Sequence, residues 1–462
     1  MSEKYTQKLK SLSINRQFWG YVLPTVGAML VSGLYQLVDG IFIGRFIGAE
    51  GLAGIHMASP AVNALYGTGM MLGVGSGAIS SIARGEKNSA KARQALGNGF
   101  SLILFLGLLC SLLLTVGGHW ILTLQNASGV AAEHATRYLQ IIAIAAPMTA
   151  GSMAIPLLVR NDQAPFVATL LIVLGAVMNI MLNALFIGYF GWGLAGAALG
   201  TVLSQSLLVV LGLIYFFSEK AHTRLSLKAL RPDWKMNIKI CSTGFSSMLM
   251  FFYFSFITMA HNYLFLQHGD HVLVGAFAIV GYVGILYYLF AEGVAAGTQP
   301  LISYHYGSGN LDLMKSFIRR MLWVTIGFGV LMVAVINVFA DSIAHIFSGD
   351  DMALHSAAVL GLRLHLMAIF LDGLIFCAGV FFQSIGVGRK ATFITMGNML
   401  IQLPFLLILP QVLGTNGVWL SVPMSNIALS LLIVWMLVRE WRKFSHRQKE
   451  HVRNASSQQC TA

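Results

Sequence analysis

Features that recur about 220 positions apart divide this 462-residue chain into two related halves. Gly73-Val-Gly-Ser-Gly77 returns as Gly293-Val-Ala-Ala-Gly297. After a two-residue slip, the turn from Gly85 to Asn88 returns as Gly307 to Asn310. Further on, Asn179 matches Asn398, and Gly193, at the head of a late apolar run, matches Gly417. A duplication of this size in an apolar chain implies two helical bundles facing each other across a central cavity, the plan of many secondary transporters.

The chain is 56% hydrophobic and 10% charged, with a mean hydropathy of +0.74, which makes its solvent a bilayer. Runs long enough to cross about 30 Å of hydrocarbon as helices lie at 17–44, 51–82, 95–118, 135–158, 164–188, 193–217, 240–265, 273–304, 321–340, 356–384, 391–412 and 416–438. The expected fold is therefore all-α and integral to the membrane, with twelve transmembrane helices in two pseudo-symmetric six-helix lobes. The boundaries that follow are an N-terminal tail over 1–16, an N-lobe over 17–217, a polar inter-lobe linker over 218–239, a C-lobe over 240–438 and a C-terminal tail over 439–462. The start of the chain is polar and basic, and its first apolar run is too long for a signal-peptide core, so it reads as an uncleaved first span.

Lys and Arg accumulate on cytoplasmic loops of membrane proteins. Assigned to alternate loops, 26 of the 29 basic residues fall on one side, leaving only Arg45, Arg137 and Arg363 elsewhere. Both termini are therefore expected in the cytoplasm of a bacterial inner membrane. The net charge of +12 is then a topology signal, helped by anionic lipid at the inner leaflet. No basic-aromatic module for nucleic acid accompanies it.

A charge at membrane depth is costly and is usually kept for a pathway or an ion. Asp39, in Tyr35-Gln-Leu-Val-Asp39-Gly40, lies about six residues before Arg45, or ~9 Å below the outer end of the first span. Tyr35 is one turn earlier on the same face. On the fifth span Asn183 and Asn179 share a face at ~8 and ~14 Å from the outer end, and Thr201 on the sixth lies at ~12 Å. Asp39, Asn179, Asn183 and Thr201 occupy one slab, and a carboxylate ringed by amide and hydroxyl oxygens suits a proton or a small hard cation. The alternative is that the amides and the hydroxyl only join helices.

The same residues resemble the multidrug and toxic compound extrusion (MATE) transporters, most nearly the DinF-like and MepA-like bacterial branch. The resemblance covers about residues 15–440. It rests on Tyr35…Asp39-Gly-Ile-Phe-Ile-Gly44, on Asn179-Ile-Met-Leu-Asn183 followed by Gly193-Leu-Ala-Gly-Ala-Ala-Leu-Gly-Thr201, and on Gln299-Pro-Leu-Ile-Ser-Tyr-His-Tyr-Gly307. It implies an antiporter that expels organic, cationic amphiphilic compounds in exchange for H⁺ or Na⁺, with no cofactor and as a monomer. In that family the acid matching Asp39 responds to the ion, assisted by positions matching Tyr35, Asn179, Asn183 and Thr201. The position of Asn183 is often aspartate in this branch, so one acid fewer here favours H⁺. Na⁺ held by Asp39, Asn179, Asn183 and Thr201 is the alternative.

The second half has its own buried acids. Asp372, mid-way along the tenth span, matches an acid found in several branches of the family. Glu292, beside the repeated glycine step, reads either as functional or as a structural acid paired with His or Arg. The span-seven acid of the NorM-like branch is missing, with Tyr253 and Phe254 near that point. His365, seven residues before Asp372, is a candidate to share its proton. His56, His261, His305 and His365 are scattered without metal-ligand spacing, and the four cysteines show no paired spacing. Neither glycine pair is followed by Lys-Ser/Thr, so no nucleotide site is expected and energy comes from an ion gradient. Two rivals remain: a flippase for lipid-linked sugars, which calls for a basic cavity, and an intramembrane enzyme built on His365, Asp372 and Glu292.

Overall fold

Helix starts in this chain are set by short polar side chains. Ser13, Asn88, Asp233, Asp270, Asn310 and Asp351 each accept a bond from a backbone N–H in the first turn of the helix that follows. They satisfy donors that a helix start leaves free. Asn88 and Asn310 are the repeat-related pair read from the sequence, and they cap equivalent helices. The computed structural model describes residues 13–125 and 129–459, with their side chains except at 124 and 446–459. Of the expected tails over 1–16 and 439–462, residues 1–12 and 460–462 lie outside the described residues.

In chain order the helices are α1 (Ile14–Phe46), α2 (Ala49–Gly85), α3 (Ser89–Leu124), α4 (Gly129–Ile144), α5 (Ala146–Asn161), α6 (Pro165–Asn183) and α7 (Gly193–Phe217). The second half holds α8 (Trp234–His268), α9 (His271–Gly307), α10 (Leu311–Ser348), α11 (Met352–His365), α12 (Ile369–Ser384), α13 (Gly388–Leu413) and α14 (Thr415–Gln459). A π-helical turn, Ala184–Tyr189, prolongs α6, and a 3-10 turn, Leu227–Leu230, precedes α8. Among the described residues nine helices are long and apolar enough to cross a membrane, or eleven if each bent pair is one span. The fold is thus all-α and multi-spanning.

Two features differ from the sequence reading. The fourth and tenth runs, read as continuous, are each broken: α4 meets α5 at 66° and α11 meets α12 at 48°. Pro147, in the first turn of α5, cannot donate a backbone bond to the preceding turn. No proline marks the second break, where a turn at Leu366–Ala368 intervenes. The linker over 218–239 is also shorter than expected, because α8 begins at Trp234. It is clamped to the first half by Asp162, which accepts from the Tyr215 hydroxyl (2.9 Å) and from the backbone N–H groups of His222 (2.7 Å) and Thr223 (2.8 Å). Arg84 pairs with the same carboxylate at 3.5 Å.

The two halves interlock at the end that carries the basic loops. There Phe18, Tyr21 and Val22 of α1 join an apolar cluster otherwise built from the second half. Reciprocally, Ile240 of α8 joins a cluster of the first half. At the opposite end the clusters separate, one per half. A buried polar chain crosses the seam: Ser81 donates to Asn161 Oδ1 (2.8 Å), Asn161 to Gln299 Oε1 (2.8 Å) and Gln299 to Ser303 Oγ (2.9 Å). The repeat is legible here too, since Ser81 bonds the Asn161 carbonyl (3.1 Å) as Ser303 bonds that of Ser384 (2.8 Å).

Close helix approach at the seam depends on absent side chains. A Cβ on Gly244 of α8 would stand 2.7 Å from the Met71 carbonyl carbon, and one on Gly293 of α9 would stand 2.7 Å from Val26 Cα. Both obstacles are backbone, which cannot step aside. Gly244→Val should therefore destabilise the protein by roughly 1–3 kcal/mol or more, read as a lower melting temperature in detergent. Gly281→Ala, with nothing within 4 Å, should leave the melting temperature nearly unchanged.

Candidate functional site

The first site is assembled from α1, α6 and α7. Pro165 opens α6 at its first position, where a missing N–H costs nothing, and the Thr169 hydroxyl bonds the Pro24 carbonyl at 2.8 Å, fixing α6 against α1. On that frame Asn183 donates to Asp39 Oδ1 and also to Asn179 Oδ1 at 3.2 Å. Asn179 in turn donates to Thr201 Oγ1 at 3.4 Å. The four residues assigned to one slab by counting thus form one hydrogen-bonded chain. Asn183 is fully buried, and its own Oδ1 has no hydrogen-bond partner. The site therefore offers one carboxylate and a free amide oxygen side by side.

Three phenols surround this carboxylate. Tyr35, Tyr66 and Tyr138 all lie within electrostatic reach of Asp39. Tyr66 accepts from Gln205 at 3.3 Å, and its ring stands 6.4 Å from that of Phe251 on α8. Tyr66, Tyr138 and Gln205 escaped the sequence reading. A tyrosine in an apolar helix carries no sign of its direction, and only the helix periodicity of Gln205, four residues after Thr201, pointed toward this face.

In the second half Asp372 sits in the first turn of α12, just beyond the break from α11. Its two oxygens accept from Asn426 (2.7 Å) and from the Tyr288 hydroxyl (3.2 Å). Nearby, Gln402 donates to the Tyr253 hydroxyl at 2.7 Å. Asp372 and Glu292 line one cavity of about 210 Å³, walled by Met250, Phe251, Phe254 and Phe376. Asn426 and Tyr288 were not singled out from the sequence.

His365 is not brought to Asp372. The helix breaks between them, and His365 Nδ1 instead lies 3.2 Å from the Trp419 carbonyl, its ring edge-on to His261 with centroids 5.2 Å apart. The seven-residue spacing would put both on one face only if the helix were continuous. Arg160, counted above as a loop charge, is also misplaced by that reading. It lies in the last turn of α5 at 1% exposure, and its electrostatic partner is Glu292 of the other half. Among the described residues no cluster of three or more His, Cys, Asp or Glu could hold a metal ion.

The duplication now finds an independent expression. The MatE family model matches the chain twice, over residues 24–185 and 246–408. The chain belongs to the MatE family. It is 26% identical over 451 residues to a protein of Staphylococcus saprophyticus described as multidrug export protein MepA, covering 95% of this chain and 97% of that one. A protein of the same description from Staphylococcus aureus strain MRSA252 is 28% identical over 432 residues, covering 91% of this chain and 93% of its own. A solved structure of a multidrug resistance MATE family transporter, in an outward-facing conformation, superposes with a TM-score of 0.87 at 22% identity, covering 96% and 98% of the two chains. That likeness shows the fold.

Gly200 of this MatE protein is where the site is most exposed to a test. A Cβ there would fall 2.5 Å from Asn183 Oδ1. Gly200→Ala should push the amide off Asp39 and reduce transport several-fold while leaving membrane yield unchanged, measured as drug accumulation against immunoblotted protein.

Proposed function

We propose that this protein is an ion-coupled antiporter of the bacterial inner membrane that exports organic, cationic amphiphilic compounds. The observation that carries the reading is the pairing of an acid-and-amide site at Asp39 with a separate, aromatic-walled cavity holding Glu292 and Asp372. Family membership and the MepA relatives support the same reading. Counting α2, whose 37 residues span about 55 Å at 1.5 Å per residue, and each bent pair as one span gives twelve transmembrane helices, six in each lobe. With the basic end in the cytoplasm, the interlocked seam closes the inner side and the separated clusters face outward.

In this mechanism the ion taken up at Asp39 replaces part of what the Asn183 amide supplies. Repacking of α1 against α6 and α7 then reaches the cavity through Tyr66 and Phe251, releases the drug and lets the lobes rock inward. A ligand drives such a change only by binding the two states unequally. H⁺ is the favoured ion, since Asp39 is the only carboxylate in its hydrogen-bonded chain. Two carboxylates on the cavity wall argue against the sugar-pyrophosphate flippase. The separation of His365 from Asp372 removes the proton-sharing pair from the intramembrane enzyme.

Asp39→Asn keeps the volume and removes the charge. It should abolish gradient-driven export in proteoliposomes while folded protein remains, and wild-type transport by this variant would sink the coupling role. Asn183→Asp places a second carboxylate beside the first, and the pair repel unless a cation or a shared proton intervenes. It should confer Na⁺ stimulation at fixed pH that the natural protein lacks. For orientation, cysteines placed at Gly191 or Asp350 in a cysteine-free background should react with an impermeant thiol reagent on intact cells, and those at Lys228 or Lys390 should not.

A further inference from the structure

The amide pair beside Asp39 has a counterpart in the second half, and the counterpart stands in a different setting. Asn398 is the repeat-mate of Asn179, and four residues on, Gln402 stands where Asn183 does. Each pair shares one helix face. In the first half the pair closes on itself: Asn183 is fully buried and donates to both Asn179 and Asp39. In the second half Gln402 donates to the Tyr253 hydroxyl at 2.7 Å, and Asn398 lines the aromatic-walled cavity together with Tyr253 and Asp372. Asn398 Oδ1 has no hydrogen-bond partner among the described residues. Rotation about the last side-chain bond, which is soft for Asn, brings that oxygen to a guest in the cavity. Asp372 accepts one bond at each oxygen, from Asn426 at 2.7 Å and from Tyr288 at 3.2 Å, and a carboxylate oxygen has room for a second.

The wall therefore offers acceptors, a carboxylate and an unpaired amide oxygen, beside the rings of Phe251, Phe254 and Phe376. A buried acceptor left without a donor costs free energy, so a guest that brings an N–H gains there. A cation that dislodges water from such an oxygen loses affinity unless its own N–H takes the place. We propose that Asn398 is a specificity-determining residue that selects organic cations carrying N–H donors, such as protonated amines and amidines, over quaternary cations of the same size and charge. This rests on the reading of the cavity as the drug site and names the headgroup chemistry that site takes. Aromatic walls attract both classes through cation-π contact. Charge and rings thus set how tightly a guest is held, and Asn398 sets which headgroup is preferred.

The test is equilibrium binding to the full chain in lipid nanodiscs, with the signal of empty nanodiscs subtracted. The probes are two acridines of similar outline and equal charge: 9-aminoacridine, cationic at neutral pH with N–H donors, and N-methylacridinium, a permanent cation with none. The natural protein should bind 9-aminoacridine more tightly by about tenfold. Asn398→Leu keeps most of the volume and removes the acceptor, and should bring the ratio close to one, the loss falling on 9-aminoacridine. Asn398→Asp keeps an acceptor in the same place and should retain a preference of natural size or larger. Equal affinities in the natural protein, or a natural ratio in Asn398→Leu, overturn the proposal while leaving the drug site intact. Should Asn398→Leu fail to fold, the natural ratio set against that of Asn398→Ala decides on the same terms. Phe376→Ala strips a ring from the wall and should weaken both probes. Unchanged binding of both in that variant puts the probes elsewhere and removes the drug-site reading and this inference with it.

Discussion

A carboxylate held away from water needs something to stand in for the water, and three acids in this protein obtain it in three ways. Asp39 leans on the amide of Asn183, itself tied to Asn179 and Thr201. Asp372 uses an amide and a phenol, from Asn426 and Tyr288. Glu292 has Arg160, a buried guanidinium of the opposite half, within electrostatic reach. Neutral donors satisfy a carboxylate only in part, which leaves Asp39 and Asp372 receptive to a proton or a cation. The guanidinium of Arg160 offsets only part of the cost of burying Glu292. The difference separates two acids held by neutral donors from one that has a charged residue within electrostatic reach.

Much of this was legible in the sequence because membrane depth is a matter of counting residues. The grouping of Asp39, Asn179, Asn183 and Thr201 followed from the rise of a helix and the ends of three spans, and the hydrogen bonds fall where that count put them. The repeat was legible because glycine is retained where two backbones touch, as at Gly293 against Val26. What counting does not reveal is direction. Tyr66, Tyr138, Tyr288 and Asn426 point into the sites, yet each resembles any other residue of its span until the helices are placed around one another.

Two misreadings share a physical cause. His365 and Arg160 were both judged from spacing along an unbroken helix or an assumed loop. The break between α11 and α12 turns His365 toward Trp419, and the continuation of α5 to Asn161 carries Arg160 inward past the point where a loop was assumed. The break before Asp372 also bears on the proposed function. A residue in the first turn of a helix is placed by the bend as much as by its neighbours, so any change in the angle of 48° between α11 and α12 moves Asp372 relative to Tyr288 and Asn426.

The halves share a scaffold without sharing the positions of their acids. The repeat-related pairs stand 219 to 224 residues apart, and over that whole range of offsets neither Asp39 nor Asp372 meets an acid in the other half. Capping residues, seam glycines and broken helices recur because each half must form the same interlocked bundle. The acids are free of that constraint, since a carboxylate serves a cavity from whichever helix happens to border it. In the proposed mechanism Asp39 on α1 responds to the packing of the first span, while Asp372 on α12 responds to the bend of a broken one. On that proposal, loading one acid biases a different motion from loading the other, which gives the exchanger two separate points at which ligand binding can be set against the rocking of its lobes.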